Sequence, residues 1–212
     1  MQLKYLDSLL NRYKQLNSCK DSIEKAYTIL TSSFKNGNKL LVCGNGGSAS
    51  DSDHITGELL KSFVKKRILE ESFTASLVKI DKEVGSYLSS KLQGALPVIA
   101  LSNNTSLITA TLNDIDSNLI FAQQVMGLGK ENDVFLGIST SGNSKDIIYA
   151  MTVAKAKGLK TIALTGNDGG KLKNIADVSI IAPETETYKI QELHLPIYHT
   201  ICLLLEEYFW KE

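Results

Sequence analysis

No stretch of this sequence stays uncharged and apolar for the length of a bilayer crossing, so a helical membrane span is not expected. The opening residues, MQLKYLDSLLNRYK, carry charge in every turn, unlike a secretory leader, and a cytoplasmic location is expected. A basic excess is missing too: 23 Lys and Arg are balanced by 23 Asp and Glu. Nucleic-acid surfaces usually need that excess, so nucleic acid is not an expected partner. A small anion still is, because converging backbone N–H groups bind one without net charge. Cysteine is scarce. Cys19, Cys43 and Cys202 are widely spaced, odd in number and contain no CxxC pair, which fits reduced thiols. Repeats and low-complexity tracts are absent. So are the terminal Gly-Lys-Ser/Thr of a P-loop and the third-glycine spacing of a dinucleotide fingerprint.

What is present fits one α/β domain across residues 1–212, with an ordinary apolar share of 43%. Residues 5–34 read as helix, with Leu6, Leu9, Leu10, Tyr13 and Leu16 at helical spacing and a break near Asn17–Ser18. Asp21 and Glu24 resemble a capping box for the second segment, which Gly37 ends. Residues 1–36 are read as helices for packing or oligomerisation. Beyond Gly37 the texture changes to short apolar runs, KLLVC, PVIAL, DVFLGI, TIAL and VSII, each followed by a loop of small or polar residues. Helical stretches lie between them, notably Ser144–Lys157 and Thr187–Trp210. Continuous apolar strands alternating with helices imply a five-stranded parallel sheet covered on both faces, a three-layer α/β/α sandwich. Residues 65–96 are charged and helical in period. They read as one or two helices inserted beside the sheet, either a surface excursion or a lid or oligomer contact.

Ligands of such sheets sit outside the carboxyl ends of the strands, where all five loops emerge. Ser139-Thr140-Ser141-Gly142-Asn143-Ser144 joins a strand to a helix start. Its hydroxyls, free N–H groups and helix N-terminus suit a phosphate, although Ser144 could serve simply as an N-cap. The first loop, Gly44-Asn45-Gly46-Gly47-Ser48-Ala49-Ser50, lets backbone approach a ligand closely, or makes a tight turn. Thr165-Gly166-Asn167-Asp168-Gly169-Gly170 reads chiefly as a turn.

Acid–base chemistry is concentrated in two helices. His54 and Glu58, four apart, share a helix face roughly 6 Å apart along the axis. That spacing serves two ligands of one divalent ion, a base with its orienting partner, or a surface ion pair. The other histidines, His194 and His199, fall in the last helix with Gln191. Gln191 and His199 are about 12 Å apart along an ideal helix. Either the helix is distorted, as at Pro196, or the two residues serve sites in different subunits. His194 reads as structural.

Taken together, CGNGGSASDSDH with Glu58, ISTSGNS, ALTGNDGG and ETETYKIQELHLPIYH resemble the sugar isomerase (SIS) domain family, in its phosphoheptose isomerase branch, across the chain apart from 65–96. The resemblance implies a flavodoxin-like order and a homotetramer with sites at subunit interfaces. It implies conversion of D-sedoheptulose 7-phosphate to D-glycero-D-manno-heptose 7-phosphate through an enediol. It further implies Zn²⁺ on His54, Glu58, Gln191 and His199, with Glu58 and His199 as acid–base pair. The phosphorylated sugar would lie against Asn45, Gly46, Gly47, Ser48, Asn103, Asn104, Ser139, Thr140, Ser141, Ser144 and Gln191. Two positions depart from the family pattern: Ser62 stands where an Arg is usual, and Asn104 where an Asp is usual. Another phosphosugar is therefore an alternative substrate. A non-catalytic relative that binds a replication initiator is the other alternative, disfavoured by the presence of both Glu58 and His199. A phosphosugar-sensing regulator normally needs a DNA-binding module, and the first 37 residues contain no helix-turn-helix pattern.

Overall fold

A computed structural model describes residues 3–210 of the chain; the ends of the expected 1–212 span, residues 1–2 and 211–212, lie outside the described residues. Five strands form one parallel sheet: β1 (Leu40–Gly44), β2 (Val98–Ala100), β3 (Val134–Ser139), β4 (Lys160–Gly166) and β5 (Val178–Ala182). Their order is β2-β1-β3-β4-β5, all neighbours parallel. The chain therefore winds one way from β1 to β2 and the other way from β3 onward. A crevice opens at that reversal, between the carboxyl ends of β1 and β3.

Successive strand residues face opposite layers. Leu40 and Val42 join the core beneath α1 (Lys4–Arg12), α2 (Lys20–Lys35), α3 (Gly47–Leu60) and the long C-terminal helix. Leu41 and Cys43 join the opposite core with Phe121, Val125, Ile147 and Met151. These belong to the helices after β2 and β3. Between α3 and β2 lie α4 (Glu71–Ile80) and α5 (Lys82–Lys91). After β2 come α6 (Thr105–Asp114) and α7 (Ile120–Leu128), and after β3 comes α8 (Lys145–Ala156). The short α9 (Leu172–Ile175) precedes β5, and α10 (Thr187–Phe209) closes the chain. All three cysteines are buried free thiols. Among the described residues no helix is long and apolar enough to cross a membrane.

The N-terminal helices divide at a 3-10 turn, Lys14–Cys19, which contains the expected break. The expected capping box does not form. The residue before α2 is Cys19 in helical conformation, so the turn runs straight into α2 and leaves no open first turn for Asp21 to cap. Gly37, at φ +75°, supplies the left-handed stop. The charged 65–96 segment contains two helices, α4 and α5, packed on one another. No residue of α4 is buried, while Gly85 of α5 lets the backbones touch: a Cβ there would lie 2.3 Å from the Leu77 carbonyl oxygen.

Candidate active site

The anion loops are assembled at the crevice. β1 leaves the sheet through Asn45 and Gly46, and α3 starts at Gly47 with no side chain capping it. Gly46 takes φ +55°, ψ −122°, a conformation that glycine alone adopts without strain. β3 leaves through Ser139, and α8 starts after Ser144, again with no side-chain cap. Two helix N-termini thus bring partial positive charge to the same crevice, although Ser48 N and Ala49 N of α3 already donate to the Asn45 and Gly46 carbonyls. Asn45 Nδ2 donates to Asp146 Oδ2 at 2.8 Å and ties the loops together.

The Ser/Thr loop is braced by the loop after β4. Gly142 and Gly170 both have positive φ, +64° and +53°. A Cβ on Gly142 would lie 2.1 Å from the Gly169 oxygen, and one on Gly170 would lie 2.4 Å from the Ser141 oxygen. Gly166 N donates to the Thr140 carbonyl, Leu172 N to the Gly142 carbonyl and Lys171 N to Asn143 Oδ1. The Thr165–Gly170 loop is thus a turn, as expected, and its turn shapes its neighbour. Ser144 occupies the N-cap position but does not cap; its Oγ is 3.0 Å from Ser139 Oγ. Ser141 is exposed, its hydroxyl accepting only from Asn143 N at 3.2 Å.

The remaining expected sugar contacts lie at the starts of α3 and α6. Ser48, in the first turn of α3, is largely buried, and its backbone packs against Gly44, where a Cβ would lie 2.6 Å from the Ser48 carbonyl oxygen. Asn103 is exposed beside Asn104, which caps α6 by accepting from Leu107 N. The Asn104 side-chain oxygen is thus engaged at the start of α6, a place an Asp fills equally well. Ser102 joins this loop to α3 through Asp53 at 3.0 Å.

α10 runs alongside α3 in the same direction, and this pairing builds the acid–base cluster. Gln191 sits at the head of α3: a Cβ on Gly47 would lie 2.6 Å from its Nε2. Further along, His54 Nε2 lies 3.3 Å from Glu58 Oε1 and 3.3 Å from His199 Nε2. All four residues come from one chain. Glu58 and His199 thus both reach His54 within a single chain. α10 continues unbroken through Pro196, and the separation of Gln191 and His199 matches two levels of the adjacent α3. The same axial distance that argued against one site is spanned by the partner helix.

Tyr198 donates to Asp51 Oδ1 at 3.3 Å and meets His54 Nδ1 at 2.9 Å. With the hydroxyl proton committed to Asp51, His54 Nδ1–H donates to Tyr198, an assignment drawn from the hydrogen-bond chain. The His54 Nε2 lone pair then faces Glu58 and His199. Burial, followed by neighbouring His54, pushes the His199 pKa down and favours a neutral imidazole. Glu58 Oε2 is buried without a hydrogen-bond partner, with the Lys61 ammonium 3.5 Å away. Ser62, in place of the usual Arg, turns away to bond Gln93 Oε1. The rings and carboxylate touch directly, and no trio of His, Cys, Asp or Glu among the described residues is spaced to hold a metal. His194 is structural: wholly buried, its Nε2 is 3.0 Å from the Thr165 carbonyl.

The SIS domain family matches the chain over residues 4–92 and 80–166. A phosphoheptose isomerase of Nitratiruptor sp. is 41% identical over 187 residues, 88% of this chain and 86% of that protein. One from Helicobacter pylori is 37% identical over 196 residues, 92% and 88% of the two chains. Among solved structures, a phosphoheptose isomerase from Francisella tularensis gives a TM-score of 0.76 at 33% identity, covering 96% of this chain and 95% of its own. That of Neisseria gonorrhoeae gives 0.72 at 30% identity, covering 94% of each.

Proposed function

The chain belongs to the SIS domain family, among the phosphoheptose isomerases, and from that premise we propose that Glu58 and His199 interconvert D-sedoheptulose 7-phosphate and D-glycero-D-manno-heptose 7-phosphate. The chain is an aldose–ketose isomerase, and the observation that carries its mechanism is the meeting of Glu58 and His199 at one nitrogen of His54.

Ketose–aldose exchange moves a proton between adjacent carbons through an enediol. It needs a base at the C–H and a proton donor or acceptor at the oxygen. Glu58, poorly solvated and short of hydrogen bonds on Oε2, is the base. His199, kept neutral, exchanges the oxygen proton. The phosphate binds remotely, at Ser139, Thr140, Ser141 and the N-terminus of α8, with Asn45, Gly46 and Gly47 opposite. Its binding energy holds the reacting carbons in place. α3 runs roughly 16 Å from Gly47 to Glu58. A ligand that touches both ends must be long, which suits a seven-carbon sugar with its phosphate at the far end.

The proposal includes Zn²⁺. Two imidazoles, a carboxylate and an amide form a donor set that zinc accepts. A His54 lone pair aimed at Glu58 Oε1 is relieved by a cation between them. His54, Glu58 and His199 would hold it once the nitrogen–nitrogen contact opens, and bound there it would polarise the sugar oxygens; Gln191, the expected fourth ligand, stands beside Gly47 at the head of α3 and would have to reach along the helix to join them. Asp51 and Tyr198 orient His54 for that role. A homotetramer with sites near subunit contacts, in the cytoplasm, completes the proposal. The exposed Phe73, Ile80, Val84 and Tyr87 of α4–α5 support a contact there.

The test is an isomerase assay over a panel of ketose phosphates, with metal content and sedimentation measured on the same sample. Fastest turnover of sedoheptulose 7-phosphate, one zinc per chain and four chains per particle are expected. Turnover of none of the panel by zinc-loaded protein would overturn the reading.

A further inference from the structure

One buried ion pair lies outside the machinery described above. Arg67 is 1% exposed and Glu206 is 1% exposed, and Arg67 Nε donates to Glu206 Oε1 at 2.8 Å. Burying two such charges is costly, and replacing a buried pair by apolar residues is often neutral or stabilising, so stability alone is a weak reason for it. Its connections give a better one.

The guanidinium spends its other two nitrogens on the end of α3. Nη1 donates to the Leu59 carbonyl and Nη2 to the Glu58 carbonyl, each at 2.7 Å. These are last-turn carbonyls that a helix leaves unpaired, and α3 ends at Lys61 in extended conformation with no glycine to turn back on them. A cation at a helix C-terminus is also favourable to its dipole. Arg67 therefore fixes the backbone of the residue that carries the carboxylate. Trp210 backs it, with the guanidinium carbon 4.6 Å from the ring centroid.

Glu206 lies on α10 seven residues beyond His199, on the same side of the helix. Its Oε1 accepts from Phe63 N at 2.8 Å, and its Oε2 from Val64 N at 2.9 Å and Lys65 N at 3.0 Å. The Phe63 ring packs on the His199 ring at 5.3 Å between centroids. The same carboxylate thus holds the residue that packs against the imidazole.

We infer that the Arg67–Glu206 pair is a positioning device that sets Glu58 on α3 against His199 on α10. This rests on the reading of Glu58 and His199 as the acid–base couple. Neither Arg67 nor Glu206 touches the sugar; the pair fixes where the two reacting groups stand. The phosphate loops hang on β1, β3 and β4, so the pair acts on the chemical step and leaves the anchoring of the phosphate alone.

The experiment compares wild type, Arg67→Lys, Glu206→Asp and Glu58→Gln for kcat, KM, thermal midpoint and calorimetric binding of sedoheptulose 7-phosphate. Lys cannot fork to both carbonyls, and Asp retracts the acceptor by one methylene, yet both keep the charge. Each is expected to fold, to bind the sugar phosphate within twofold of wild type, and to lose about 10- to 100-fold in kcat, the range for partners that orient reacting groups. Folded variants with kcat within twofold of wild type would overturn the inference. So would loss of folding in both, because the pair would then hold the domain and not the couple. Full turnover by Glu58→Gln would remove the catalytic reading and this inference with it. A dead Glu58→Gln beside a fully active Arg67→Lys would remove the positioning role alone.

Discussion

His54 and His199 meet nitrogen to nitrogen, their Nε2 atoms 3.3 Å apart and their rings nearly perpendicular at 85°. Two ring nitrogens in that relation share one proton at most, and the carboxylate of Glu58 adds a third group at the same point. Such a junction favours a cation. Chelation is expected to abolish turnover, and one equivalent of Zn²⁺ to restore it. His54→Ala is expected to lose both the bound metal and the restoration. Atomic absorption on dialysed protein checks this, and full activity in metal-free protein would refute the zinc.

Ser141 presents an exposed hydroxyl on the loop that opens α8. Ser141→Ala is expected to weaken sugar-phosphate binding by roughly 0.5–3 kcal/mol, the cost of losing a hydrogen bond to a charged group. Thermal stability should be unchanged, since the hydroxyl accepts a single local bond. Calorimetry showing no loss would put the phosphate elsewhere.

The interlocked glycines make a separate prediction. Gly142→Ala introduces a Cβ 2.1 Å from the Gly169 oxygen at a φ of +64°. The left-handed conformation alone costs about 1–2 kcal/mol, and the backbone of two loops must shift as well. Stability should fall by more than about 1 kcal/mol in denaturant titration, and phosphate affinity should fall with it. Affinity preserved alongside lost stability would separate the brace from the anion site.

His194 makes stability depend on pH. Burial pushes its pKa down to about 4, and its Nδ1 has no hydrogen-bond partner, so the folded protein holds it neutral. The folded pKa lies below the unfolded one, so the unfolded chain takes up the proton first. The full contribution is present above pH 6.5 and is lost as pH falls from 6.5 toward 4, by roughly 3 kcal/mol in total. Denaturant titrations across that window should show the decline, with a shallower slope in His194→Gln. Parallel slopes in the two proteins would contradict the assignment.

Much of this architecture is legible in the residues. Apolar runs such as KLLVC and DVFLGI become β1 and β3 because strands buried on both faces need no alternation. His54 and Glu58 share a face because their spacing is helical. Contacts between distant segments are not legible. Nothing local pairs Arg67 with Glu206, 139 positions away, and both look like ordinary surface charges in sequence. The assembly of Glu58 and His199 within one chain depends on the parallel course of α3 and α10, which no spacing within α10 reveals. Asp21 and Glu24 have the pattern of a cap but not its geometry, because the preceding 3-10 turn already satisfies the helix start.

The proton shuttle itself is tested most directly by a single replacement that keeps size and hydrogen-bonding reach while removing basicity. In Glu58→Gln, calorimetry should show sedoheptulose 7-phosphate still binding, and the isomerase assay should show no conversion and no exchange of the transferred hydrogen with deuterated solvent. Conversion at the wild-type rate by that variant would contradict the account.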